Sequence, residues 1–255
     1  MLEITSSSNN KCKYVKSLSQ KKARDEHREY TVEGIKSVRD ALLSGKKISA
    51  LYVSFSFYET EPFDYPSDVP LYKTADTVFE KMCDTKAPQG ILAVVKMEES
   101  DFTLDLGKAY VYCDGLNDPG NLGTIIRTAD AAGFDGVLLS QGCADAYSPK
   151  TVRASMGSFF NIKIKKDVTA EELSEYKDNG FCLFGGALGE NTVDYRSADM
   201  TKPAIIVIGN EANGISDEVL KMCECVKIPI LGKAESLNAG VAAAILMYEL
   251  LRQRS

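Results

Sequence analysis

Arg127 lies in the stretch NDPGNLGTIIRTADAAGFDGVLL, from Asn117 to Leu139, roughly a turn and a half into a segment whose neighbours Ile125, Ile126, Ala129, Ala131 and Ala132 ask for burial. The stretch opens on the turn-forming cluster Asn117 to Asn121, runs at helical spacing to Gly133, and ends in the apolar run Val137-Leu138-Leu139. It reads as loop, helix and strand. A guanidinium in such a helix suits a cation turned toward a ligand cleft, where its planar fork can hold an anion. The competing reading is an internal ion pair with Glu211 or another acid.

The loops DGLNDPGNLG, GGALGE, GNEANGIS and LGKAESLNAG are rich in glycine and in side chains that hydrogen-bond. Glycine lets backbone approach a ligand closely, so several such loops on one sheet edge would form a cradle of N–H and C=O groups. Each loop alone is weak, because connections between helices and strands often contain glycine. No GxGxxG follows the first strand of the second half, and no GxxxxGK[ST] phosphate loop occurs. The only histidine, His27, sits in a charged N-terminal segment, and GxSxG is missing, so Ser-His-Asp catalysis is unsupported. Seven scattered cysteines with one histidine offer neither a disulfide framework nor a zinc set.

These loops need a scaffold. The segments AYVYCDGL, GVLLS, IKIKK, FCLFGGAL, AIIVIGNE and CVKIPI alternate with helical segments such as TAEELSEYKDNG, ISDEVLKMC and LNAGVAAAILMYELLRQ. Apolar strands joined by helices predict an α/β domain built on a mostly parallel sheet covered on both faces. Ligands then bind where loops leave the carboxyl ends of the strands, here after Tyr112, Leu183, Ile208 and Ile230.

The first hundred residues form a second, smaller α/β pattern. A charged helix is expected from Lys16 to Arg28, strands at Tyr30-Thr31-Val32 and ISALYVSFS, a helix over EGIKSVRDALLSG, and a strand, helix and strand over DVPLYKTADTVFEKMCDTKAPQGILAVVK. The boundaries expected are a polar lead over 1–15, a small domain over 16–97, an acidic linker over 98–107 and the larger domain over 108–255. Net charge is -6, yet between Lys11 and Lys47 basic residues outnumber acids, and Lys21, Lys22 and Arg24 stand together. That cluster is either a solvated helical face or an RNA footprint. No apolar run approaches the roughly 20 residues that span a bilayer, and the start MLEITSSSNNKCKYVK has no signal-peptide core, so no membrane partner and a cytoplasmic location are expected.

Taken together, Asn121-x-Gly123-x-x-x-Arg127, then IVIGNEANGIS with Gly209, Glu211 and Gly214, then IPILGKAESLNAGVAAAILMYEL with Ser236, Leu237 and Asn238 resemble the SpoU (TrmH-like) branch of the SPOUT superfamily, RNA 2′-O-ribose methyltransferases. REYTVEGIKSVRDAL and KAPQGILAVVK resemble the ribosomal-protein-like substrate-binding domain that many members carry in front. The resemblance implies a deep trefoil knot, an exception to the rule against knots. It implies S-adenosyl-L-methionine as cofactor, held by backbone of Ala187, Gly209, Ile228 and Leu237 between Ile208 and Ile230. It implies catalytic roles for Asn121, Arg127, Glu211, Ser236 and Asn238, with Glu211 orienting Arg127 or capping a loop, and no metal.

An arginine is a poor general base, since its pKa exceeds roughly 12. Arg127 is therefore expected to bind the neighbouring phosphate, orient the ribose and stabilise developing alkoxide character. The resemblance further implies a homodimer in which the apolar last helix is a reasonable interface element. The expected substrate is structured RNA, with ribosomal RNA favoured by the appended domain. A transfer RNA substrate, or a noncatalytic RNA-binding or assembly factor keeping the fold, are the alternatives.

Overall fold

The computed structural model describes residues 2–98, 102–189 and 191–255. The chain divides into two compact units, Met1–Glu99 with Tyr147–Phe160, and Ser100–Ala146 with Asn161–Ser255. Part of the expected linker, residues 99–101, lies outside the described residues.

The first unit runs β1 (Leu2–Ile4), α1 (Asn10–Ser17), α2 (Lys21–His27), β2 (Glu29–Glu33), α3 (Ile35–Leu43), β3 (Ile48–Ser54), α4 (Phe55–Thr60), β4 (Leu71–Thr74), α5 (Asp76–Met82) and β5 (Ile91–Lys96). Its five-stranded sheet has the order β1-β4-β3-β5-β2, with β4 parallel to both neighbours and β5 antiparallel to both of its own. Cys12, Val15 and Leu18 pack with Val78, Phe79 and Met82 over Tyr52, Leu92 and Val94, so α1 and α5 share one face of the sheet.

Three expectations are corrected here. The polar lead is structured: β1 pairs with β4 at the sheet edge, and α1 begins at Asn10. The single charged helix from Lys16 to Arg28 is two helices, broken at Leu18 to Gln20. The buried guanidinium of Arg24 holds that break, donating at 2.8 Å to the carbonyls of both Leu18 and Ser19. Those two carbonyls belong to the frayed end of α1 and would otherwise lack donors. Arg24 is thus a structural residue of the core and leaves the basic cluster expected from sequence, in which Lys21 and Lys22 remain exposed. Finally, β3 stops at Ser54 because the Ser54 hydroxyl caps α4 through the Phe57 amide.

The second unit runs β6 (Ala109–Cys113), α6 (Pro119–Ala131) and β7 (Gly136–Leu139). After α7 (Pro149–Ala154), which belongs to the first unit, come β8 (Lys163–Lys165), α8 (Ala170–Asp178), β9 (Cys182–Gly186), β10 (Val193–Asp194), β11 (Ala204–Ile208), α9 (Asp217–Leu220), β12 (Glu224–Lys227) and α10 (Ala239–Arg254). All seven strands are parallel, in the order β10-β12-β9-β11-β6-β7-β8. β6 and β11 are buried along their whole length, as apolar central strands covered on both faces should be. From β6 the chain winds outward through β7 and β8, then returns on the other side to build β9, β11 and β12. The winding direction reverses between β6 and β11, and a crevice opens at such a reversal.

The segment Tyr147–Phe160, placed by sequence in the larger domain, clusters with the first unit. Tyr147 and Phe159 pack on buried Tyr30, with ring centroids 5.0 and 5.6 Å away, and Arg153 pairs with Asp84 at 3.1 Å. Aromatic packing on Tyr30 holds the segment in the first unit despite its place in the sequence. No described helix is long and apolar enough to cross a membrane.

Candidate active site

Two loops meet at the β6–β11 reversal. Asn210 ties them: its side-chain amide donates to the Gly115 carbonyl at 2.7 Å, while its Oδ1 accepts from the amides of Ala212 and Asn213. Its backbone exchanges both hydrogen bonds with Gly214, closing the turn. That turn requires glycine at 209, where an added Cβ would lie 2.1 Å from the Gly214 carbonyl carbon. Asp114 secures the far side by accepting from the Ser216 amide at 2.7 Å.

Glu211 projects from this turn toward the start of α6. Its carboxylate accepts from the amides of Asn117 at 3.1 Å and Asp118 at 3.0 Å, and from the Asn121 side chain at 2.9 Å. Burial pushes its carboxyl up, but the donors from Asn121, Asn117 and Asp118 outweigh this and hold it below the usual carboxylate range. Asn121 in turn accepts from the Asn238 amide at 2.8 Å. Asn238 also caps α10 by accepting from the Gly240 and Val241 amides. One chain of hydrogen bonds, Asn238 to Asn121 to Glu211, therefore joins three segments far apart in sequence. Asp118 caps α6 through the Asn121 amide, with Pro119 fitting the first helical turn.

A cavity of about 820 Å³ opens beside this network. Ala187, Gly209, Glu211, Ile228, Ser236, Leu237 and Asn238, singled out from sequence, all line it, together with the apolar walls Ile208 and Ile230. Asn121 joins it through Glu211 and Asn238. Arg127 does not line it: α6 buries Leu122, Ile125, Ile126 and Ala129 and turns Arg127 outward beside exposed Thr124. Among the described residues Arg127 has no hydrogen bond or ion pair, and Glu211 is bonded to Asn121 and backbone instead of to Arg127. The internal ion pair considered for Arg127 is therefore not formed. Asn210 is not marked out by sequence although it stands between two chosen residues, because an asparagine that fastens a loop looks the same as one that decorates it.

The cavity's chemistry suits a particular ligand. Among the described residues its lining includes Glu211 and Glu235 but no lysine or arginine, which disfavours a polyphosphate and favours a cation. From Pro229 to Leu237 no residue makes a hydrogen bond to another described residue, so these peptide groups and the Ser236 hydroxyl are left for a ligand or water. An adenosine bearing a sulfonium meets all three conditions: apolar walls, backbone donors and acceptors, and a carboxylate field. Cysteine nucleophiles are absent from the scheme, since burial pushes the thiols of Cys113 and Cys143 up and keeps them protonated.

Residues 108–248 match the SpoU rRNA Methylase family, and residues 9–93 match the MRM3-like substrate binding domain. A 23S rRNA (guanosine(2553)-2′-O)-methyltransferase, RlmP, of Bacillus subtilis is 36% identical over 252 residues, covering 98% of this chain and 99% of its own. The crystal structure of an AdoMet-bound rRNA methyltransferase from Sinorhizobium meliloti superposes with a TM-score of 0.88 at 35% identity, covering 98% of both chains. AviRb of Streptomyces viridochromogenes, a SpoU methyltransferase in complex with AdoMet, gives 0.85 at 28% identity, covering 96% of this chain and 98% of its own. The second unit, with its parallel seven-stranded sheet, has the SPOUT methyltransferase fold. With the motifs, the cavity and both family matches in agreement, the chain belongs to the SpoU family of RNA 2′-O-ribose methyltransferases.

Proposed function

We propose that the protein methylates the ribose 2′-hydroxyl of a guanosine in 23S ribosomal RNA, working in the cytoplasm as a homodimer. The observation that carries this reading is the Asn238–Asn121–Glu211 chain set against a cation-free cavity, in a protein whose Bacillus subtilis relative matches it nearly end to end. S-adenosyl-L-methionine supplies an electrophilic methyl group when bound. Everything else is the task of the chain.

Asn121 has its Nδ2 engaged by Glu211 and its Oδ1 by Asn238, so it positions the loop and does not carry a proton. Ser236 keeps its hydroxyl available at the cavity wall to orient the ribose. Arg127 clamps a phosphate of the RNA beside the reacting ribose and stabilises charge developing on the attacking oxygen. Among the described residues it has no hydrogen-bond or ion-pair partner, which leaves the guanidinium ready for that anion.

The homodimer rests on α10. Val241, Tyr248 and Leu251 are exposed at helical spacing, and α10 packs on α6 where Gly240 meets Thr124. Covering this apolar stripe with a second copy would also desolvate the flank of α6 that carries Arg127.

Mapping 2′-O-methylated nucleotides in total RNA with and without the protein tests the reading. One guanosine of 23S rRNA should lose its methyl group, and the counterpart of the nucleotide named for the Bacillus subtilis relative is the first to inspect. Loss of a methyl group from transfer RNA instead, or no change anywhere, would sink it.

A further inference from the structure

Three lysines converge on a groove in the first unit that nothing so far explains. Lys13 and Lys16 of α1 and Lys81 of α5 line a recess of about 550 Å³, with Ser7, Ser17, Ser19 and Gln20 on its rim and Cys12, Val78 and Met82 on its floor. No acid lines it. In a chain with 36 acids against 30 basic residues, a groove of lysines without a carboxylate is not what charge balance alone would give. The Lys16 ammonium donates to the Lys81 carbonyl at 2.8 Å, bringing the two helices' charges together. Among the described residues Lys13 and Lys81 have no acidic partner. Clustered ammonium groups repel one another, and an anion relieves that repulsion.

The floor adds a second requirement. Val78 and Met82 are buried core residues whose apolar atoms form its base, and α1 bears another recess on its opposite flank. There Lys11 lies 4.4 Å from the centroid of the Tyr72 ring, which stacks on Tyr52. A phosphate-binding rim over an apolar floor, with a ring on the other flank of α1 already matched to a cation, describes a polymer offering phosphates and flat apolar faces in turn. Single-stranded RNA does this. A duplex shows phosphates but keeps its bases stacked inside.

We infer that the α1–α5 groove grips an unpaired segment of the RNA substrate, with Lys13, Lys16 and Lys81 on its phosphates and a base against Val78 and Met82. This deepens the proposed function and rests on it for the RNA's identity. It also moves the RNA contact away from the neighbouring α2 cluster, where Arg24 is buried and Lys21 is paired with Asp25.

The full chain, a fluorescent mixed-sequence 12-nucleotide RNA and the same sequence as a duplex test it by anisotropy over a salt titration. The wild type should prefer the single strand. The triple variant Lys13→Glu, Lys16→Glu, Lys81→Glu should lose at least about tenfold in affinity, and its salt slope should fall by about 2, near 0.7 for each phosphate no longer neutralised. A double variant, Lys13→Glu and Lys81→Glu, leaves the bond from Lys16 to the Lys81 carbonyl intact and should show most of the loss if the triple variant folds poorly. S-adenosyl-L-methionine affinity should not move, and Lys21→Glu with Lys22→Glu should have the smaller effect. Unchanged binding in a folded variant, equal affinity for the duplex, or a larger loss from the Lys21 and Lys22 changes would each overturn the inference. So would loss of binding to a polyglutamate peptide with RNA binding retained, which would make the groove an acidic-protein site. Because the probe is not ribosomal RNA, failure of the 23S assignment leaves this result readable.

Discussion

Two walls of one cavity are built in opposite ways. On the α6 side, Glu211 accepts three hydrogen bonds, Asn210 fastens two loops and Asn238 bonds both Asn121 and the start of α10. On the other side, Pro229 to Leu237 makes no hydrogen bond to another described residue. The bonded wall holds its shape before any ligand arrives, and the open wall keeps its peptide groups for the ligand. Groups with partners in the free protein should therefore govern shape, while groups without them should govern binding and chemistry.

The sharpest way to break this division is Arg127, which has no hydrogen-bond or ion-pair partner among the described residues. Arg127→Ala should lose at least about a hundredfold in single-turnover methyl transfer, the scale on which removing a transition-state donor acts. Its melting temperature and S-adenosyl-L-methionine affinity should match the wild type. Arg127→Lys should recover little, because an ammonium lacks the planar fork. A fully active Arg127→Lys with an unfolded Arg127→Ala would make the residue structural.

Gly209→Ala attacks the bonded wall at its tightest point, since the new methyl would collide with Gly214 and Ile215 backbone. Calorimetry should show cofactor affinity weakened at least about tenfold, or 1.4 kcal/mol. Affinity within twofold of wild type would mean that the turn opens without consequence for the cavity.

Glu211→Gln should have a smaller effect, and one visible in stability. The amide removes the charge that three donors share, so the melting temperature should fall at neutral pH along with methyl transfer. Because the folded carboxyl is held below its ordinary value, its contribution is present above the unfolded pKa of about 4.3 and lost as pH falls through the folded pKa. The gap in melting temperature between wild type and variant should accordingly narrow below about pH 4.3. A gap that widened on acidification would contradict the bonding described for Glu211.

The mildest test concerns the open wall. Trypsin should cut after exposed Lys233 in the free protein, and saturating S-adenosyl-L-methionine should slow that cut severalfold while leaving distant sites unchanged. Equal rates with and without cofactor would show that the loop does not close on it.

Much of this was legible in the residues. Glycine and asparagine at fixed spacing in GNEANGIS and ESLNAG marked the loops, because tight turns and helix caps depend on local chemistry. The parallel sheet followed from unbroken apolar strands. Arg24 and Arg127 show what was hidden. Each was judged by its neighbours in sequence, yet Arg24 is 2% exposed and bonded to two carbonyls while Arg127 is exposed and unbonded. Within a charged segment, nothing local distinguishes the one cation that fills a break between helices. On α6, a rotation of about 100° from Ile126 to Arg127 is enough to pass from core to solvent.

The excursion of Tyr147–Phe160 has a bearing on synthesis. The chain passes between the units at 99/100, 146/147 and 160/161, so the first unit awaits a piece that is translated after the opening strands of the second. Until residue 147 has left the ribosome, Tyr30 lacks both Tyr147 and Phe159 as packing partners, and Phe159 follows later still. An N-terminal domain ordinarily matures first on the ribosome. Here its completion is deferred, and a nascent chain paused between residues 100 and 146 would present an unfinished aromatic surface to chaperones.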